Sequence, residues 1–387
     1  MKDASIIYVG VSGFPTGFAM IEKIKLISLA LQEQGYDIVV LNRKWSDGNS
    51  KLKGEIRGIK YINALGIRHR PKDYIRRNIY KFILPFKEAR LLIRIAKRNS
   101  TKYFFVNSRS IGLLLQYYLI AKALNIKLVI TYVEHGSSMV TKSKFSKISD
   151  ILFERFAFKL VDAALPISDY LTEIIRKQNK SLPILKTPVL TDIEFINTVE
   201  NNKGRYAFVF CGAAAFIEVI SFVIESYSHL EQTDIELLLI CGGTDREKRV
   251  IKDLIKRSTS GNRIELRFGL SYLELIKCYK SSFALLIPLR PTLQDLARFP
   301  HKIGEYAATG RPIISIQYGE IANYFSDGYS ALLASEYNTH LFAEKMNFVI
   351  QNPKLANQIG LNGKNVAEKN FGYKQYGKKL VRFLNRI

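Results

Sequence analysis

Residues 294–320, QDLARFPHKIGEYAATGRPIISIQYGE, set the reading of the whole chain. Pro300 sits where a helix can begin, since its missing N–H is one of the donors that a first turn leaves unpaired anyway. Ile303, Tyr306 and Ala307 recur at helical spacing, and Gly310 supplies a left-handed stop. Arg311-Pro312 then leads into Ile313, Ile314 and Ile316, a short β-branched strand. Lys302 falls in the first turn and Glu305 three residues on, so the two share one helix face. A cation at a helix start opposes the dipole and calls for an anion nearby. Lys302 and the helix start therefore suit a phosphate, and Glu305 suits sugar hydroxyls. An amphipathic helix with a solvated lysine would show the same residues.

The alternation of strand and helix runs outward from this stretch. Residues 6–11 read as a buried strand, followed by the turn Ser12-Gly13-Phe14-Pro15-Thr16-Gly17, a helix from about Phe18 to Gln34, and a strand over 37–42. This is a βαβ unit with a glycine-bearing first turn, the arrangement of doubly wound sheets. It carries no GxGxxG, so it lacks the dinucleotide fingerprint. Strands over 103–107 and 128–132 flank a helix over 110–124, and the second strand runs into Glu134-His135-Gly136. Titratable residues just past a strand's carboxyl end stand where open α/β sheets bind ligands. That makes Glu134 and His135 candidates, although a structural histidine fits the same place. Residues 161–168 add a strand, with Ser168 capping the next helix. The pattern restarts at 206–211 and continues with strands at 235–241, 264–268 and 283–288.

The class is therefore α/β, with two doubly wound, Rossmann-like domains. The boundaries expected are a first domain over 1–185, a linker over 186–204, and a second domain over 205–365. Residues 366–387 form a C-terminal helix, with the first domain as one place for it to pack.

Bulk composition narrows the classes further. The chain has 387 residues, 47% of them hydrophobic, which indicates a globular protein and not a disordered one. The start, MKDASIIYVGVSGFP, is too soon interrupted by glycine to read as a signal peptide, and no apolar run has the length of a membrane span. Cys211, Cys241 and Cys278 show no metal-ligand spacing and lie in or beside apolar runs, so reduced, buried thiols and a cytoplasmic chain are expected. The formal net charge of +24 calls for a polyanionic neighbour. Much of it sits in residues 68–98 and 141–160, where lysines and arginines interleave with apolar residues. Pro85 is expected to split the first stretch into two amphipathic helices. Such stretches suit anionic lipid headgroups, or else pack on a sheet with a solvated basic face.

Pro300-x-Lys302-x-x-Glu305-Tyr306-x-x-x-Gly310-x-Pro312-Ile313-Ile314, followed by Gly319-Glu320, resembles the donor-site signature of glycosyltransferases of the GT-B fold. It is most similar to the retaining family-four type that builds bacterial surface polysaccharides such as capsule, O-antigen or lipopolysaccharide. The resemblance implies two Rossmann-like domains facing across a cleft and transfer of a sugar from a UDP- or GDP-sugar to a lipid-linked oligosaccharide. It implies no cofactor and no metal, with the enzyme peripheral at the cytoplasmic face of the membrane. The implied donor residues are Lys302, Glu305, Gly319 and Glu320, with Gly13, Thr16 and Gly17 as a phosphate or acceptor loop. Glu134 and His135 would stand beside the reacting sugar.

Two departures from the family pattern matter. The family places an arginine and a lysine after the first strand of the second domain, whereas Ala213 to Glu218 offers no cation. The family's second glutamate is replaced by Ala297, with Asp295 and Arg298 beside it. Arg298, Lys302 and Arg290 are therefore expected to take over the diphosphate. Three rival readings are a nucleotide-sugar epimerase of the same fold, a basic nucleic-acid-binding protein without activity, and an inactive scaffold. The epimerase needs several acid/base residues near the sugar, and only His135 and His301 among five histidines lie near the site elements. The nucleic-acid reading lacks any recognised binding module.

Overall fold

Strands rich in Val, Ile, Leu and Phe on both faces must be covered by helices on both sides, and the chain does this twice. The computed structural model describes residues 4–17, 19–43, 51–67, 69, 71–136, 144–200, 207–230 and 234–387, with the backbone alone for 4 and 144–146. Phe18, Arg68, Arg70, Thr141, Lys142 and residues 201–206, used in the sequence reading, lie outside the described residues. Two units result: residues up to Leu190 together with Tyr373–Ile387, and Thr191–Gly372.

The first unit runs β1 (Ala4–Val11), α1 (Ala19–Gln32), β2 (Tyr36–Asn42), β3 (Lys53–Ile56), β4 (Ile59–Asn63), α2 (Tyr74–Arg98), β5 (Thr101–Val106), α3 (Ile111–Leu124), β6 (Lys127–Tyr132), α4 (Lys144–Phe156), β7 (Ala163–Pro166) and α5 (Asp169–Gln178). The sheet order is β3-β4-β2-β1-β5-β6-β7, parallel except for the β3–β4 hairpin. β1 lies in the interior of the sheet, and Ile6, Ile7, Tyr8 and Val9 are fully buried, as a strand covered on both faces requires. The hairpin turns at Arg57 and Gly58, both at positive φ (49° and 82°), the backbone of a tight turn that matches strand twist.

One sequence expectation fails here. α2 does not break at Pro85 but continues through it as one 25-residue helix. Proline removes a backbone hydrogen bond, and tertiary contacts offset that loss. Asp73 caps the helix by accepting from the amides of Ile75 and Arg76 at 3.1 and 3.2 Å. Beside the proline, Gln116 Nε2 donates to the Pro85 carbonyl at 3.1 Å. One turn on, the fully buried Glu88 accepts from Arg43 Nε and from the Tyr117 hydroxyl, both at 2.6 Å. Desolvation pushes the Glu88 carboxyl above its ordinary range, and the Arg43 charge opposes that shift.

The second unit runs α6 (Ile193–Thr198), β8 (Ala207–Ala213), α7 (Ile217–Ser228), β9 (Glu236–Gly242), α8 (Asp245–Arg257), β10 (Ile264–Phe268), α9 (Tyr272–Lys280), β11 (Ala284–Ile287), α10 (Leu293–Ala297), α11 (Lys302–Ala308), β12 (Ile313–Ile316), α12 (Gly319–Tyr324), β13 (Leu332–Ala334), α13 (Thr339–Gln351) and α14 (Pro353–Asn370). All its pairs are parallel, in the order β10-β9-β8-β11-β12-β13. Both units are doubly wound, which bears out the fold class. The segment 186–204, expected as a linker, contains α6, capped by Asp192 through the Phe195 amide at 3.2 Å.

The last helix, α15 (Tyr373–Leu384), belongs to the first unit and packs on α1. Gly377 permits the approach: a Cβ there would stand 2.5 Å from the Ala30 carbonyl oxygen. Thr187 Oγ1 and the Tyr376 hydroxyl are 2.6 Å apart, and the buried Lys23 ammonium donates to the Thr187 carbonyl at 3.2 Å.

Candidate functional site

In an open parallel sheet, adjacent strands whose crossovers leave in opposite directions create a crevice at their carboxyl ends. In the second unit that point lies between β8 and β11. After β11 come Arg290, then Asp295 on α10 and Arg298 at its end, and α11 follows. The decisive stretch of sequence therefore falls on the edge where this fold binds ligands.

Lys302 and Glu305 are placed there by α11. The Lys302 ammonium donates to the carbonyl oxygen of Cys211, near the carboxyl end of β8. The turn after β8, where no cation stands in sequence, thus receives one from α11. Glu305 is buried at 6% exposure, one turn from Lys302. Tyr306, fully buried, accepts from the Cys211 amide at 3.2 Å, and burial pushes its phenol well above the usual range. Its ring meets Tyr279 edge-on at 4.7 Å. Tyr306 entered the sequence reading only as part of a pattern; its bond to β8 is a positioning contact across 95 positions.

Arg290 is engaged by two carboxylates. Its guanidinium binds the Asp295 carboxylate through Nε at 2.9 Å and Nη2 at 3.1 Å, and its Nη1 lies 3.3 Å from Glu218. The Arg290 amide adds a further bond to Asp295 at 2.9 Å, and Thr292 Oγ1 accepts from the Asp295 amide at 3.3 Å. Hydrogen bonding to Asp295 raises the Arg290 pKa. These bonds give the guanidinium a part in the shape of this segment. Arg298 is half-buried directly before the Phe299-Pro300 approach to α11. Gly319, at φ 57°, starts α12 with a Cβ position 3.3 Å from the Asp295 carbonyl oxygen. Glu320 beside it is buried at 2% exposure and accepts from Asn323 Nδ2 at 3.3 Å.

The first unit has its own switch point, between β1 and β5. Gly13 follows β1 at φ 90°, with Thr16 and Gly17 exposed beyond it. Asn42 Nδ2 holds this loop by donating to the Phe14 carbonyl at 3.1 Å. Glu134 and His135 follow β6, both half-buried. His135 Nε2 lies 3.3 Å from Glu154 Oε1, which also accepts from the Gly136 amide at 2.8 Å. Arg109, on the loop after β5, lies 3.7 Å from Glu154 and 3.1 Å from Asp150. Arg109 and Glu154 escaped the sequence reading. For Arg109 the available signal was its place just past a parallel strand; for Glu154 there was none, since its partner comes from another element.

A concavity lined by Asp234, Ile235, Glu236, Phe283 and Arg311 lies at the amino ends of β9, β11 and β12, the edge away from this site. Cys211 and Cys278 are half-buried and only Cys241 is fully buried, a partial correction to the expectation for all three. Among the described residues, no helix is long and apolar enough to cross a membrane.

Residues 192–366 match the family model for glycosyl transferases group 1. The matched residues lie within the second unit, which is thus similar to a group 1 glycosyl transferase domain. An uncharacterized glycosyltransferase of Methanocaldococcus jannaschii is 25% identical over 238 residues, covering 61% of this chain. The match spans 62% of that relative's own length. Among solved structures, a sucrose-phosphate synthase from Thermosynechococcus elongatus superposes with a TM-score of 0.76 at 15% identity, over 99% of this chain and 98% of its own. HepE of Anabaena, solved in complex with UDP, gives 0.72 at 12% identity over 99% of this chain and all of its own. These likenesses show the GT-B fold, two Rossmann-like units, over the full chain.

Proposed function

We propose that the protein transfers a sugar from a nucleotide-sugar donor to an acceptor hydroxyl, with the donor diphosphate held by Lys302 and Arg298. The observation that carries this reading is the Lys302 ammonium at the end of β8, on the switch-point edge of the transferase domain. In glycosyl transfer, negative charge grows on the departing diphosphate as the anomeric bond breaks. A cation fixed at that place stabilises the transition state more than the ground state. Lys302 makes good the missing cations of the Ala213–Glu218 turn. Arg290 acts through Asp295 by fixing the loop that presents Arg298. Glu305 accepts from ribose hydroxyls, and Gly319 and Glu320 border the donor.

HepE has been solved with UDP and with UDP-glucose, so UDP is the first nucleotide to try, with GDP second. The reaction is retaining, with the departing phosphate drawing the acceptor proton, and needs neither metal nor cofactor. Gly13, Thr16 and Gly17 face phosphate or acceptor, and Glu134 and His135, the latter held by Glu154, stand by the reacting sugar. The acceptor is a lipid-linked glycan of surface-polysaccharide synthesis, met at the anionic cytoplasmic face of a membrane. The basic, apolar-flanked surface of the first unit supports that side of the reading.

The test is thermal stabilisation by a panel of nucleoside diphosphates and nucleotide sugars, on wild type and Glu305→Ala. A ligand at a hundredfold excess over its dissociation constant adds about 2.7 kcal/mol to stability. One nucleotide should stabilise wild type and not the variant. If no nucleotide stabilises either protein, the transferase reading fails.

A further inference from the structure

In the first unit, α2 packs beside α3 and α3 beside α4. α2 presents two unlike stripes. Leu84, Glu88, Leu92 and Ile95 follow one another at helical spacing and are buried. Ile75, Ile79, Phe82 and Phe86, at i, i+4, i+7 and i+11, form a second stripe on roughly the opposite side of the helix. These four are 68, 50, 75 and 69% exposed. The rings of Phe82 and Phe86 lie 6.1 Å apart, one turn after the other. No side chain in the first ten residues of α2, 74–83, is buried, so this half of the helix contributes nothing to the core. The neighbouring helices continue the exposure, with Leu119 of α3 at 59% and Ile151 of α4 at 63%.

The charge of α2 identifies the partner. The helix carries eight lysines and arginines, and its single acid, Glu88, is buried against Arg43. Its exposed surface is therefore entirely cationic wherever it is charged. A nucleic acid would satisfy the cations but leave the apolar stripe in water. An anionic bilayer satisfies both, since aromatic and aliphatic side chains reach the acyl boundary while basic side chains remain among the headgroups. We infer that α2 is a monotopic membrane anchor that lays Ile75, Ile79, Phe82 and Phe86 into an anionic leaflet. The anchor rests on the membrane-side half of the reading above and is separate from the donor site, which lies on the other unit.

The test is flotation of the full chain with phosphatidylglycerol–phosphatidylcholine vesicles and with phosphatidylcholine vesicles. Wild type should float with the anionic vesicles. Phe82→Ser with Phe86→Ser should weaken partitioning about tenfold for each ring removed. Arg90→Gln with Arg94→Gln should weaken it about fivefold for each charge. Phe82→Trp should add an emission component that shifts to shorter wavelength on vesicle addition, which reports insertion and not mere adhesion. Three results would overturn the anchor: equal flotation with neutral vesicles, binding unchanged by loss of both rings, or RNA binding without vesicle binding. The same variants should keep the nucleotide-induced thermal stabilisation of wild type. Flotation without any nucleotide response would leave the anchor standing and remove the transferase reading.

Discussion

The Lys302 side chain on α11 donates to the Cys211 carbonyl on β8, joining a helix start to a strand end 91 residues away in sequence. A backbone carbonyl occupies the ammonium. A diphosphate would replace that neutral acceptor with a charged one, so the interaction gains strength as leaving-group charge develops. Lys302→Ala should lower kcat/KM for the stabilising nucleotide sugar about a hundredfold or more, with Lys302→Arg recovering part of the loss. Steady-state kinetics decide this, and an unchanged kcat/KM would remove Lys302 from the reaction.

Asp295 should behave differently because it acts through Arg290. The carboxylate gathers three hydrogen bonds from Arg290, from its amide, Nε and Nη2. Asp295→Asn keeps the shape but removes the charge, loosening the loop that leads to Arg298 and α11. Misplacement of positioning groups by about 1 Å can cost as much as a hundredfold in rate. The expected result is a donor KM raised about tenfold with a smaller change in kcat. A fall in kcat alone, with KM unchanged, would argue against a positioning role.

Lys23 predicts a pH dependence of stability in the first unit. Burial lowers its folded pKa from 10.5 to about 7. Between those values the unfolded chain binds more protons than the folded one, so this group's contribution makes stability rise with pH across that window. Below pH 7 both states are charged and the burial penalty is present in full. Lys23→Met removes the term. The stability of wild type relative to the variant should climb by about 1.4 kcal/mol per pH unit from neutrality upward. Urea unfolding of both proteins at several pH values measures it, and parallel curves would refute it.

Gly377→Ala should destabilise by about 1–3 kcal/mol, since its Cβ would meet backbone and not a movable side chain. A melting temperature equal to wild type would mean that α15 can shift away from α1 without loss. Nucleotide binding by the second unit should survive the substitution, because Gly377 lies in the first.

Much of this fold was legible because parallel strands buried on both faces announce themselves as apolar runs. Residues 313–316 read as a strand from sequence and form one over the same residues, buried throughout; 264–268 also read as a strand and form a half-buried one at the sheet edge. Ser168 was legible as a cap, and its Oγ accepts the Leu171 amide at 3.2 Å. The β3–β4 hairpin was not, because Arg57 takes a left-handed conformation that its side chain does not advertise. α2 misled for a related reason: Pro85 is a local signal to stop, whereas Glu88, Arg43 and Tyr117, which hold the helix, meet only in three dimensions. At the site, Lys302 and Glu305 were visible as residue types at a helix start. The commitment of Arg290 to Asp295 and Glu218 was not, since either a phosphate or a carboxylate suits a lone arginine in sequence.

Because α15 completes the first unit, the second unit is an insertion within its partner. On the ribosome the first 190 residues are made before the second unit, yet they lack the covering of α1 until α15 has been made. The order of synthesis and the order of completion are thus reversed: the inserted domain can finish folding while its host still waits. A chain stopped at Gly372 would contain every residue of the second unit and still lack the helix that closes the first.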